Sequence, residues 1–175
     1  FGSRLMKNNG IHIVGQMSAN LEPVVLQDAF GPVHVHLIPY ADPSQVRYSY
    51  DNPEIRSHND AMKAITEKIA STLDQGARHI AVGHAFITPH GEPEENTSDS
   101  ERPLSIGGAE HVAAEHFNPF HYTALGHLHQ AHYVLNETVR YAGSPMKYSI
   151  SEEHHQKGFL VVEMDEAGAV SVTKN

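Results

Sequence analysis

Apolar and polar positions along this chain follow two periods, and the switches between them mark its elements. Residues 11–15 form a short apolar run that predicts a strand, and residues 23–29 followed by 33–39 read as a hairpin with Gly31 and Pro32 in its turn. Between residues 57 and 73, Met62, Ile65, Ile69 and Leu73 recur at helical spacing while Asp60 and Glu67 keep the opposite side polar. Ser57 is placed to cap that helix and Gly76 to stop it. A strand then runs into His84, followed over residues 88–103 by a polar, proline-bearing stretch without periodicity. A short helix is expected at about 109–117. Strands follow at 122–126, 131–135, 139–142, 159–164 and 169–173, the last two joined by an Asp165-Glu166-Ala167-Gly168 turn. The order predicts an α/β protein whose second half is mostly antiparallel sheet.

Composition narrows the function classes. At 175 residues with 39% hydrophobic content, the chain can build one domain with a core. It begins at Phe1 without an initiator methionine, which suggests a fragment of something longer. No apolar stretch approaches the roughly 20 residues of a membrane span and no charged-then-apolar leader opens the chain, so the expectation is a cytoplasmic protein with no membrane association. The absence of cysteine excludes disulfides and thiolate zinc sites. A net charge of −9, with no cluster of Lys and Arg, argues against gripping a long stretch of nucleic acid by charge alone. Phosphate chemistry on such a chain would have to rely on bound metal ions, which can be the largest local charges in a site.

Fifteen histidines supply candidate ligands. Three of them, His84, His127 and His129, sit where apolar runs end, and a glycine precedes both His84 and His127. In an extended backbone, residues two apart face the same side, so the imidazoles of His127 and His129 could converge on one ion or reach two adjacent ions. His84, from another strand end, could complete the cluster, and neutral imidazole suits Zn, Mn, Fe or Ni. Three histidines without a carboxylate leave two readings open: a ligand is missing, or the metal is zinc. A second His-x-His, His34 and His36, lies inside a strand whose alternation puts both on one face, which reads as a polar sheet face.

The motifs around the three histidines extend this reading. Gly126-His127-Leu128-His129, with Gly83-His84 upstream, resembles the last two motifs of the calcineurin-like metallophosphoesterases. The runs Ser98-Asp99-Ser100-Glu101-Arg102-Pro103 and Gly143-Ser144-Pro145-Met146-Lys147-Tyr148-Ser149, together with Leu37-Ile38-Pro39-Tyr40-Ala41-Asp42-Pro43, are similar to SbcD-type nuclease subunits within that superfamily. The resemblance implies that residues 1–175 are the C-terminal portion of a phosphoesterase domain, part of a β-sandwich flanked by helices. It implies a two-ion, usually Mn-loaded site in which His84 and His127 ligate one ion and His129 the other. It also implies hydrolysis of DNA phosphodiesters, an SbcC-like ATPase partner and a homodimer in the parent complex. The family's Asp-x-His, Gly-Asp-x-x-Asp and Gly-Asn-His-Asp motifs do not occur in this sequence, so no catalytic residue is assigned and the isolated chain is expected to be inactive.

A non-catalytic metal- or protein-binding module is the alternative. Lys147 and Tyr148 could touch a phosphate and stack on a base, or simply form a turn. Asp99, Glu101 and Arg102 read as a solvated loop with a structural role implied by the resemblance. His90, His111, His116, His121, His132, His154 and His155 read as surface or core-edge residues, with His132 nearest the motif.

Overall fold

The computed structural model describes residues 6–91 and 111–175. Strands β1 (Val24–Asp28) and β2 (Gly31–Ile38) form the expected antiparallel hairpin, but the reversal falls at Ala29 and Phe30. Asp28 Oδ1 accepts from the Phe30 N–H at 2.8 Å, an Asx turn that closes the hairpin and places Gly31 and Pro32 inside β2. Residues 11–15 form no strand; Ile11 and Ile13 are exposed.

Helix α1 (Pro43–Tyr50) follows, capped by Asp42, whose carboxylate accepts from the Ser44 and Gln45 N–H groups. Helix α2 (His58–Ala70) starts at Ser57, as the pattern requires. The Ser57 hydroxyl accepts from the Asp60 N–H while Asp60 accepts from the Ser57 N–H, a reciprocal pair that satisfies two otherwise orphaned donors. Its apolar stripe, Ala61, Met62, Ile65 and Ile69, is buried in one core with Ile38, Ala81, Ile87, Phe117, Leu125 and Tyr141. Each large side chain there contributes about 1.5–3 kcal/mol by burial.

Strand β3 (Arg78–His84) leads into β4 (Phe86–Thr88). The helix expected at 109–117 is replaced, over its described part, by β5 (His111–Ala113), paired parallel to β4, and a 3-10 turn at Ala114–Phe117. Strands β6 (Tyr122–Gly126), β7 (His132–Tyr133), β8 (Val139–Tyr141), β9 (Leu160–Met164) and β10 (Val170–Lys174) complete the described strands. The main sheet has six strands in the order β1-β2-β3-β6-β8-β7.

The α/β class is therefore what the pattern predicts, but the strand directions are not. β2, β3, β6 and β8 run parallel, and in the second half only the β7–β8 and β9–β10 pairs are antiparallel among the described residues. The long segment between β3 and β6 serves as a crossover, and β7 sits outside β8 so that β8 can join β6. The consequence is functional: the carboxyl ends of β2, β3 and β6 share one sheet edge, the usual place for a ligand crevice in such sheets. Tyr141 braces that edge from below, its hydroxyl donating to the Ala85 carbonyl and accepting from the Ile87 N–H, both at 2.7 Å.

The face carrying His34 and His36 is polar, with His34 half-buried and His36 buried. His36 is 5% exposed and stands against Phe120 and His79. His79 Nε2 lies 2.8 Å from the Asp74 carbonyl, which can only accept, so His79 Nε2–H donates and its Nδ1 accepts from His36 Nε2–H at 3.1 Å. The lone pair of His36 then falls on Nδ1, a buried atom with no hydrogen-bond partner. Burial, followed by the neighbouring His79 and His34, pushes the His36 pKa down to about 4.

Unfolding between pH 6.5 and 4 must then take up a proton at residue 36. This contribution to stability is complete above the ordinary histidine value near 6.5 and is lost as pH falls through the folded value of about 4. The loss is on the order of 2–3 kcal/mol across that window. Urea denaturation at several pH values should show a flatter dependence for His36→Gln than for the parent; equal slopes would exclude His36 as the cause. Among the described residues, no helix is long and apolar enough to cross a membrane.

Candidate metal centre

His84 is the last residue of β3 and stands opposite Gly126, the last residue of β6, in the parallel register. The two preceding glycines turn out to do different things. A Cβ on Gly126 would lie 3.2 Å from His84 Nδ1, so Gly126 makes room for the neighbouring imidazole, whereas Gly83 has nothing within 4 Å of its missing side chain. His84 stands exposed at this strand end, and partial desolvation of its ring lowers its pKa, which favours the neutral form that can ligate.

The chain leaves β6 through His127, whose φ of 123° lies in the left-handed half of conformational space. For a residue with a side chain this costs roughly 1–3 kcal/mol, and such strain persists where the surroundings hold it. Here the holders are the His84 ring, 5.3 Å away and set edge-on to it, and the Phe86 ring at 5.9 Å. Leu128, 2% exposed, anchors the next step in the core.

His127 and His129 therefore do not share a strand face. β6 stops at Gly126, and the kink at His127 removes the extended geometry on which the same-side expectation rests. His127 joins His84, while His129 turns to another wall built by residues 143–157. Its Nδ1 lies 2.8 Å from Glu152 Oε1, and its ring packs on Tyr148 at 5.3 Å. Among the described residues, no group of three His, Cys, Asp or Glu side chains is close enough to hold a metal ion together. The donors present are thus a close pair, His84 with His127, and a third imidazole, His129, that does not complete a three-donor group with them.

The wall around His129 contains groups that the pattern of the sequence does not reveal. Glu152 is fully buried, and its second oxygen receives Lys157 Nζ at 2.7 Å and the Tyr148 N–H at 3.3 Å. Lys157 also donates to the His129 carbonyl at 2.9 Å and to Ser144 Oγ at 2.8 Å. Glu152 and Lys157 lie in a strongly polar run, Ser151 to Lys157, that looks like solvent-facing turn; no local periodicity distinguishes a buried ion pair from an exposed one. Gly143, at φ 78°, lets this wall approach the backbone at His129 and Ala131.

Of the other residues singled out, Tyr148 comes into ring contact with His129, while Lys147 bonds the Glu153 carbonyl. His132 stacks on Tyr141 at 5.0 Å, and its Nδ1 is 2.9 Å from the Gln130 carbonyl. His111 packs on Phe86 and His116 bonds Asn59, whereas His90 and His154 are exposed. His121 accepts from the His79 N–H, and His155 lies 3.3 Å from Lys157 Nζ. Asp99, Glu101 and Arg102 lie outside the described residues.

No family model matches the chain. Among curated proteins it is similar to the SbcD component of the nuclease SbcCD from Staphylococcus epidermidis, with 33% identity over 165 residues. The match takes in 94% of this chain and 42% of that relative, so the chain spans well under half the length of the protein it matches.

Proposed function

We propose, from the premise that this chain belongs with the SbcD-type nuclease subunits, that it carries the histidine-bearing part of a metal-dependent DNA phosphodiesterase centre. The observation that carries the reading is the split of the three imidazoles at the carboxyl edge of the parallel strands. His84 and His127, with ring centroids 5.3 Å apart, would hold one ion, and His129, turned to the separate wall, would hold the second. Manganese is the ion the resemblance favours. When bound, such ions polarise a phosphodiester and lower the pKa of attached water. The chain's own residues do the placing: the parallel register sets His84 at the end of β3 beside Gly126, Phe86 backs His127, and the kink at residue 127 ends the extended backbone before His129.

Two imidazoles on one side and one on the other leave each ion short of ligands, and manganese prefers oxygen donors. The isolated chain should therefore hydrolyse little or no DNA, and the full-length protein should supply the carboxylates that complete the centre. An SbcC-like ATPase partner, a homodimeric parent complex and a cytoplasmic setting form part of the same proposal. A Mn-dependent cleavage assay on this chain alone and on the full-length protein tests it. The expected outcome is cleavage only by the full-length protein, reduced at least about 100-fold by His127→Ala. Robust turnover by the chain alone, abolished by His127→Ala, would overturn the inactivity of the fragment.

The lack of any three-donor group among the described residues favours a second reading, a non-catalytic metal- or protein-binding module. Full-length protein that binds manganese but cleaves no DNA would select it.

A further inference from the structure

Glu152 is the feature of this chain least explained by packing. Burying a carboxylate and an ammonium costs several kcal/mol in desolvation, and apolar side chains of similar volume would fill the same space without that cost. Yet Glu152 is fully buried, Lys157 nearly so, and the pair sits directly behind His129.

The geometry states what the carboxylate does. Glu152 Oε2 is taken by Lys157 Nζ and the Tyr148 N–H, which fixes the carboxylate plane. Oε1 then faces His129 Nδ1 at 2.8 Å. An ionised carboxylate can only accept, so Nδ1 carries the proton, and in the neutral form of the ring that could ligate a metal the lone pair falls on Nε2. Lys157 also holds the His129 carbonyl, and Ser144 reaches the same carbonyl through its N–H at 3.1 Å, so ring and backbone are fixed together. A carboxylate behind an imidazole, with the other nitrogen pointing away, is the arrangement that orients histidine ligands in metal sites.

We propose that Glu152, locked by Lys157, is a positioning residue that sets the tautomer and aim of His129 so that Nε2 is its metal-binding atom. The inference rests on the reading of His129 as a ligand, and it adds to that reading a group on a different loop. Residues 143–157 then form a second wall of the metal centre, joined to the first through His129 and Lys157.

The test uses the full-length protein and two readouts besides activity. Mn2+ binding is measured by titration calorimetry for the parent, for His129→Ala, for Glu152→Gln, and for the double variant Glu152→Leu/Lys157→Met, which removes both charges together and so leaves no buried ion unpaired. Nitrogen chemical shifts of the His129 ring are recorded without metal. The parent should show the Nδ1–H tautomer, and the double variant should move toward Nε2–H with Mn2+ affinity lower by about 10–100-fold. Glu152→Gln, which keeps an acceptor oxygen, should fall between the two. Manganese binding that His129→Ala weakens but the double variant leaves within about two-fold, or an unchanged tautomer, overturns the role of Glu152 alone. Manganese binding that His129→Ala leaves intact overturns the ligand reading, and this proposal with it.

Discussion

Replacing Lys157 with methionine should lower the unfolding free energy by about 3 kcal/mol, among the largest effects expected of any single substitution in this chain. Lys157 is 12% exposed at its side chain and Glu152 is 0% exposed, so removing the cation strands a carboxylate where water cannot replace it. The remaining partners, His129 Nδ1–H and the Tyr148 N–H, are dipoles rather than a full positive charge, and they recover only part of the loss. Urea denaturation followed by circular dichroism measures it directly. The double variant Glu152→Leu/Lys157→Met should return most of the stability, because two uncharged side chains need no mutual compensation. Ser144 Oγ keeps the Met146 carbonyl, and the His129 carbonyl keeps the Ser144 N–H, so neither is orphaned by the loss of the lysine. A single-variant loss below about 1 kcal/mol would mean that the pair is not desolvated as the structure has it.

Gly143→Ala should cost about 2–4 kcal/mol for reasons that involve no charge. Its φ of 78° is strained for any residue with a Cβ, a penalty of about 1 kcal/mol. The new Cβ would also lie 2.8 Å from the His129 carbonyl oxygen and 2.9 Å from the Ala131 nitrogen. Both are backbone atoms, which cannot rotate aside as a side chain can, so the wall itself must shift away from His129. Gly10→Ala offers the control, since it shares the positive φ of 76° but meets nothing within 4 Å. Denaturation midpoints for the two variants separate the conformational penalty from the clash; equal losses would show that no steric contact exists at residue 143. The clash should also disturb the His129 ring, making Gly143 a link between stability and the metal centre.

Both effects arise in residues 129–157, where the sequence is least informative. The Gly-Ser-Pro run around residue 144 stands out as a motif and as a turn, but its closeness to His129 depends on a backbone approach that only the folded chain makes. Glu152 and Lys157 give no sign at all. Charged residues five positions apart in a polar run carry no period, and whether such a pair faces water or a neighbouring loop depends on what packs over it. For the opposite reason the helix at His58–Ala70 is legible: its apolar spacing and the Ser57/Asp60 cap are local facts, settled within a few turns of the chain. The helix at Pro43–Tyr50 leaves no such trace, because Val46 is its sole buried residue, too little to make a stripe.

The sequence by itself determined that His84 and His127 stand at strand ends, the positions of strands β3 and β6 that lead to them, the capped helix and the α/β class, because periodicity and motif spacing are properties of neighbours along the chain. Only the tertiary structure decided that β3 and β6 run parallel and bring His84 beside His127, that a kink with φ 123° sends His129 elsewhere, and that Glu152 waits there. Strand direction, burial and the aim of a side chain are set by contacts between residues far apart in sequence, and those contacts exist only once the chain has folded.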